Sequence, residues 1–173
     1  MVYKLQRPPP TEPRNAWPGL ESERLFDSPM PIIVVGSPAA ARRRLGATPE
    51  AFAREPLLGD QELWELWFAA AGVRTRVTPV AIFNDVGLMM QAAEQNLGLG
   101  LGRELLAADA LRDGRLLKLS PISITHEQAH PYHLAYPPSL RDWPPLMSLL
   151  EWLHDELALS RKSLKRSTAK SRK

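Results

Sequence analysis

Apolar positions recur along the chain with two periods, and the alternation between them predicts the order of elements. Pro31-Ile32-Ile33-Val34-Val35 is a continuous β-branched run, fit for a strand covered on both faces, and Gly36-Ser37-Pro38 ends it. Ser37 is placed to cap a short helix over residues 39–45, and Thr48-Pro49-Glu50 starts another with proline at its first position. Residues 60–71 carry the clearest helical period: Leu63, Trp64, Trp67, Phe68 and Ala71 share one face, and Gly72 is the stop. The shared period assigns the tryptophans to a core.

Val77, Val80 and Ile82 then predict an apolar strand. Asn84 or Asp85 can cap the helix that follows, in which Leu88, Met89, Ala92 and Ala93 recur until Gly98 ends it. Gly98-Leu99-Gly100-Leu101-Gly102 reads as a buried strand whose glycines permit close packing. Residues 104–111 are helical, 115–119 and 131–136 extended, and 142–159 a long helix with Pro144 and Pro145 in its first turn. Along that helix Leu146, Leu149, Leu150, Leu153 and Leu157 line one side. Residues 2–5 and 23–26 suit short strands, separated by 7–14, where four prolines oppose regular structure. Strands alternating with helices place the chain in the α/β class, with a parallel sheet and crossover connections as the expectation.

Charge changes this picture only at one end. Of 22 Lys and Arg, seven lie in residues 160–173, which hold no acid; the remaining 15 face 19 acids, so the body carries −4 despite a net +3 overall. The composition of 160–173 (SRKSLKRSTAKSRK) predicts a disordered basic tail. The absence of cysteine removes disulfides and thiolate chemistry. No run approaches the roughly 20 apolar residues of a membrane span, and residues 1–10 lack a signal-peptide core, so the expected location is the cytoplasm with no membrane partner.

Three motifs invite chemistry. His126-Glu127-Gln128-Ala129-His130 matches the zinc-hydrolase pattern H-E-x-x-H, but that pattern requires a helix. Ile122, Ile124 and Thr125 favour extended chain just before it and Pro131 disfavours helical geometry at His130, so a loop is expected. Gly98–Gly102 follow a helix where a dinucleotide loop would open one, and Arg103 stands where its third glycine should fall. Ser37 lies outside any G-x-S-x-G elbow and serves as a helix cap. His154, with Asp155 and Glu156, reads as a solvated face. No catalyst, metal or cofactor is predicted.

Several weak motifs in order carry more weight. Trp17-Pro18-Gly19-Leu20, Glu23-Arg24-Leu25, Gly36-Ser37-Pro38, Ala69-Ala70-Ala71-Gly72-Val73, Phe83-Asn84-Asp85 with Gln91-Ala92-Ala93, and the Gly98–Arg103 glycines resemble the effector-binding domain of LysR-type transcriptional regulators. Asp109, Gly114, Arg115, Leu134, Tyr136 and Glu151-Trp152-Leu153 continue the match, which covers residues 20–157 and is strongest to the glycine-cleavage-activator and β-lactamase-regulator branch.

The resemblance implies a type 2 periplasmic-binding-protein-like fold with lobe two complete and lobe one partial. Residues 1–30 would be a lobe-one remnant with the first hinge strand, 31–131 lobe two, 132–159 the second hinge strand and lobe-one helix, and 160–173 the tail. It also implies a small-molecule effector held by Asn84, Asp85, Val86, Gly87 and Tyr132, with Ser37 and Arg7 as further candidates. Val86 stands where relatives often carry serine, and Asp85 argues against a strongly anionic effector unless Arg7 or Arg103 compensates. No winged helix-turn-helix precedes the match, so the expectation is a truncated, non-enzymatic sensor of transcription regulation that reaches DNA only indirectly. The expected partner is a second copy or a related regulator, because the leucine face of 142–159 would be left exposed. Two alternatives are an interaction protein that modulates full-length relatives and, remotely, a zinc-dependent hydrolase through His126 and His130.

Overall fold

In the computed structural model, structure is described for residues 18–25, 30–125 and 132–170. The proline-rich stretch, the predicted strand at residues 2–5, Trp17 and the H-E-x-x-H motif lie outside them. The chain divides into two compact units, one of residues 1–29 and 127–159, the other of residues 30–126 and 160–173.

The second unit is built on a four-stranded sheet in the order β3 (Leu57–Leu58), β4 (Leu99–Arg103), β2 (Ile32–Gly36), β5 (Leu117–Ile124). The sheet is mixed, where strand and helix alternation led to an expectation of parallel strands: β3 and β4 are parallel, but β2 runs antiparallel to both β4 and β5. The reason is topological, since β2 enters the unit first and is flanked by strands that return past it rather than crossing over. Every residue of β2 is buried, as its apolar run requires.

Alternation along the strands divides the core in two. Ile32 and Val34 face a cluster with Leu99, Leu101, Phe52, Trp64, Trp67 and Phe68. Ile33 and Val35 face another with Met89, Met90, Ala92, Ala93, Ala107 and Leu116. Trp64, Trp67 and Phe68 come from α3 (Gln61–Ala70) and Phe52 from α2 (Pro49–Phe52), all at 0% exposure, so the tryptophans are core as their period predicts. Trp64 and Trp67 donate their indole N–H to the carbonyls of Leu58 and Ile122, which removes the cost of burying those groups. Asp60 caps α3 through the Leu63 N–H at 3.0 Å, and Gly72, with φ +76°, supplies the left-handed stop.

The opposite face is covered by α4 (Val86–Glu94) and α5 (Ala108–Arg112). Gly100 and Gly102 face α4 while Leu99 and Leu101 face α3: a Cβ on Gly100 would lie 2.2 Å from Met89 Sδ, and one on Gly102 2.7 Å from Met90 Cε. These are packing glycines, and β4 is leucine on one side and bare backbone on the other.

Four local expectations change. Residues 77–82 form no strand; a single parallel bridge joins Ala81 to Leu58, and Val80 and Ile82 are 66% and 75% exposed. Pro79 removes a donor there and β3 is only two residues long, so the ladder stops at Val80 N–H to Leu57 O and Gly59 N–H to Ala81 O. Helix α4 ends before Gly98: Asn96, at φ +61°, takes the left-handed position, with Asn96 N–H bonded to Ala93 O and Leu97 N–H to Ala92 O. The predicted strand at 115–119 begins at Leu117 and continues to Ile124, absorbing Pro121 in a register shift against β2 between Ile33 and Val35. Residues 104–107 are turn, so the helix expected at 104–111 starts only at Ala108.

In the first unit β1 (Glu21–Arg24) pairs antiparallel with β6 (His133–Tyr136), Glu21 opposite Tyr136 and Arg24 opposite His133. Arg141 Nε donates to Glu21 at 2.8 Å, and His154 lies 3.4 Å from Glu23, so β1 is tied to the segment beyond β6 and to α6 (Pro144–Lys170). Leu146 and Leu150 are buried, whereas Trp143, Met147, Leu149 and Trp152 are exposed, so only part of the predicted leucine face is covered. Beyond residue 159 the backbone stays helical to Lys170, where composition led to an expectation of disorder. Lys, Arg, Ala and Leu are adequate helix formers, no glycine or proline follows Pro145, and positive charge suits a helix C-terminus.

The glycine packing ranks three substitutions. Gly98→Ala should cost about 2–3 kcal/mol, because its Cβ would meet the Pro56 carbonyl oxygen at 2.6 Å, a backbone atom fixed by the Leu99 N–H. Gly102→Ala should cost about 1 kcal/mol, since a methionine end can swing away, with Gly100→Ala between them. Urea unfolding midpoints test the order.

Candidate functional site

The turn entering α4 brings four of the predicted site residues together. Asn84, Asp85, Val86 and Gly87 are consecutive and exposed, directly after the Leu58–Ala81 bridge at the carboxyl edge of the parallel strands. Asp85 is the cap: its backbone is extended and Oδ1 accepts the Leu88 N–H at 2.8 Å. Asn84 is thereby left outside the cap. The first N–H groups of a helix have no partner within it, so Val86 and Gly87 present donors beside a carboxylate that already holds the negative charge this end attracts. β4 starts from the C-terminal end of α4 and runs back along it, so Arg103 closes β4 at the same sheet edge.

Ser37 does not belong to this group. It is 2% exposed, its Oγ accepts the Ala40 N–H to cap α1 (Pro38–Arg44), and its hydroxyl donates to Asn96 Oδ1 at 2.9 Å. That places it at the far end of α4 from Asp85, about 16 Å away at 1.5 Å per residue from Asp85 to Asn96. Its hydroxyl thus serves the α1 cap and the contact with Asn96, away from the turn that enters α4. Tyr132 precedes β6 in the other unit, where its carbonyl accepts the Leu25 N–H at 2.9 Å. Arg7 lies outside the described residues.

Sequence reasoning missed Asn96, which ends α4, accepts from Ser37 and lies 3.5 Å from Arg43. Its signal was present, since asparagine after an amphipathic helix tolerates the left-handed conformation. It missed Glu55 as well, whose carboxylate accepts from Arg43 and Arg44 at 3.2 and 2.8 Å and anchors α1. An open depression of about 510 Å³, lined by Glu65, Ala69, Val73, Arg74, Thr75 and Arg76, lies toward the C-terminal end of α3 and contains no predicted site residue. Among the described residues no three His, Asp or Glu side chains are placed to hold a metal, and no helix is long and apolar enough to cross a membrane.

The LysR substrate binding domain family model matches residues 7–158. The chain belongs to the LysR substrate-binding domain family. Within that family it is 30% identical over 135 residues to the HTH-type transcriptional activator AmpR of Citrobacter koseri, covering 73% of this chain and 46% of the relative. The chain thus spans about half the length of that curated relative. The effector domain of AmpR from Pseudomonas aeruginosa superposes with a TM-score of 0.65 at 24% identity, over 86% of this chain and 71% of that one. The AmpR effector-binding domain of Citrobacter freundii does so with a TM-score of 0.65 at 20% identity, over 82% and 70%. The fold is the type 2 periplasmic-binding-protein-like one of LysR effector domains.

Two measurements probe this region and the β1–β6 ribbon. Asp85→Ala should lower stability by about 1 kcal/mol while Asp85→Asn keeps most of the cap, read from chemical unfolding. Partial burial, and then Arg24 opposite, hold His133 below its ordinary 6.5. The folded state therefore favours the neutral ring, so its contribution is intact above 6.5 and is lost as pH falls through the lowered folded value. Melting temperature should drop as pH is lowered below 6.5, and His133→Gln should flatten part of that drop.

Proposed function

We propose that this chain is the effector-sensing domain of a LysR-type regulator, and that it acts by binding a small molecule rather than by catalysis. The observation that carries the reading is the exposed turn Asn84–Gly87, where helix donors and the Asp85 carboxylate stand side by side at a strand edge. A carboxylate already at the helix end disfavours a second anion. The ligand chemistry that suits both groups is a neutral or zwitterionic molecule, with oxygen toward the Val86 and Gly87 N–H groups and a donor toward Asp85 or Asn84. Val86 narrows the choice by offering a methyl surface where a hydroxyl would have bonded. Lobe two is residues 31–131 in this reading, and β1 and β6 are the hinge strands. Tyr132, the residue before β6, is a further proposed effector contact, and the working location is the cytoplasm.

A thermal-shift screen of amino acids and small neutral or zwitterionic metabolites tests the proposal. A true effector raises the melting temperature in proportion to the logarithm of its concentration. Asn84→Ala should weaken its binding about tenfold without lowering the unliganded melting temperature, and Tyr132→Phe tests the second contact separately. Unchanged affinity in both variants would remove the assignment.

We also propose self-association. Trp143, Met147, Leu149 and Trp152 give unit one an exposed apolar surface on α6, with Trp152 at 56% exposure. Trp152→Glu should shift the protein toward monomer by light scattering at concentrations where the parent chain associates. A parent chain that is monomeric throughout counts against it.

A further inference from the structure

We propose that residues 74–79 are a docking edge for an extended acidic segment of a partner protein, which adds to them as a β-strand. This does not depend on the effector reading. The run Val73-Arg74-Thr75-Arg76-Val77-Thr78-Pro79-Val80 is rich in β-branched residues and alternates strictly in burial. Arg74, Arg76, Thr78 and Val80 are exposed, the residues between them are half-buried or buried, and Val73 and Val77 pack on the α3 side of the core. That is the side-chain pattern of a strand, yet the ladder is missing. Val73 N–H bonds to Phe68 O and Val80 N–H to Leu57 O, but among the described residues nothing bonds to the backbone between them. Residues 74–79 thus leave five N–H groups and six carbonyls open, Pro79 having no N–H. β3, only two residues long, is too short to pair with them.

The side chains select the occupant. Arg74 and Arg76 have no ion pair or hydrogen bond among the described residues, and they share one side of the run, roughly 7 Å apart along an extended chain. With Val73, Thr75 and, from α3, Glu65 and Ala69, they line the open depression of about 510 Å³. Bases on an open edge commonly serve only to repel other edges. That guard role holds against a second copy, whose own arginines would crowd these, but not against a strand with an acid opposite each base. Acids at every second position would face Arg74 and Arg76, and small apolar residues between them would meet Val73, Thr75 and Ala69. Glu65, which accepts from Gln61 Nε2 at 2.9 Å, disfavours an unbroken run of acids in the same depression. A nucleic acid strand offers phosphates to the two arginines but no matching row of donors and acceptors to the open backbone.

The test is fluorescence anisotropy with the full chain and a labelled heptapeptide that alternates valine with glutamate. We expect saturable binding, weakened at least ~10-fold by Arg74→Glu with Arg76→Glu, two exposed changes that should leave the melting temperature in place. A heptapeptide alternating valine with lysine should show the reverse preference and bind the variant better than the parent. The valine–glutamate peptide methylated at every backbone nitrogen keeps its charge and loses its donors, so it should bind at least ~10-fold more weakly. Arg42→Gln with Arg54→Gln, which removes two exposed bases elsewhere, should leave binding within about twofold. No binding at about 1 mM chain, equal binding of the methylated peptide, equal loss in the two variants, or equally tight binding of a single-stranded DNA oligomer would each overturn the proposal. So would loss of self-association in the Arg74→Glu, Arg76→Glu variant, which would assign the edge to a second copy.

Discussion

The close approach of α4 to β4 is the contact on which the larger unit depends. Glycine at positions 100 and 102 removes the side chains from one face of a strand that carries leucine on the other, and Met89 and Met90 occupy the space. Flexible thioether side chains suit such a gap because they adapt to an uneven surface without strict shape matching. With α4 held that near the sheet, its first turn is fixed at the strand edge, and Asp85, Val86 and Gly87 are presented there. The candidate site is thus a consequence of how the core is filled.

The two ends of α4 are specialised differently. At the C-terminal end, Asn96 combines a left-handed backbone with a side chain that accepts the Ser37 hydroxyl, so the stop of one helix is bonded to the cap of another. At the N-terminal end the cap is a solvent-facing carboxylate with one backbone bond. Charge follows a similar division in the chain as a whole. The acids and bases of the body pair locally, as in Glu94 with Arg115 and Glu104 with Lys118, while the bases of 160–173 have no acid within their own segment.

Much of this was legible in the sequence where one force dominated. The period of Trp64, Trp67 and Phe68 and the unbroken run of β2 placed both in the core, because burial alone dictates such patterns. The family was readable from many weak motifs in order. What escaped was decided by competition between neighbours: the ladder at 77–82 failed for want of a partner strand, Gly98 yielded the helix stop to Asn96, and β2 ran against its neighbours for topological reasons. The Ser37 cap was legible locally, whereas its bond to Asn96 joins residues 59 apart in sequence. Composition alone does not carry the continuity of the basic segment with α6, whose helical bounds run to Lys170.

The glycine face of β4 also bears on how such a domain can diverge. A methyl group gained at position 100 has room only if the side chain at 89 recedes, and the same holds for 102 with 90. Either change alone costs stability, more at 100 than at 102, so a matching change at the methionine is favoured. Positions 89 and 100, and 90 and 102, are therefore expected to co-vary across relatives, a trace of packing written into descent that is independent of whichever ligand each protein senses.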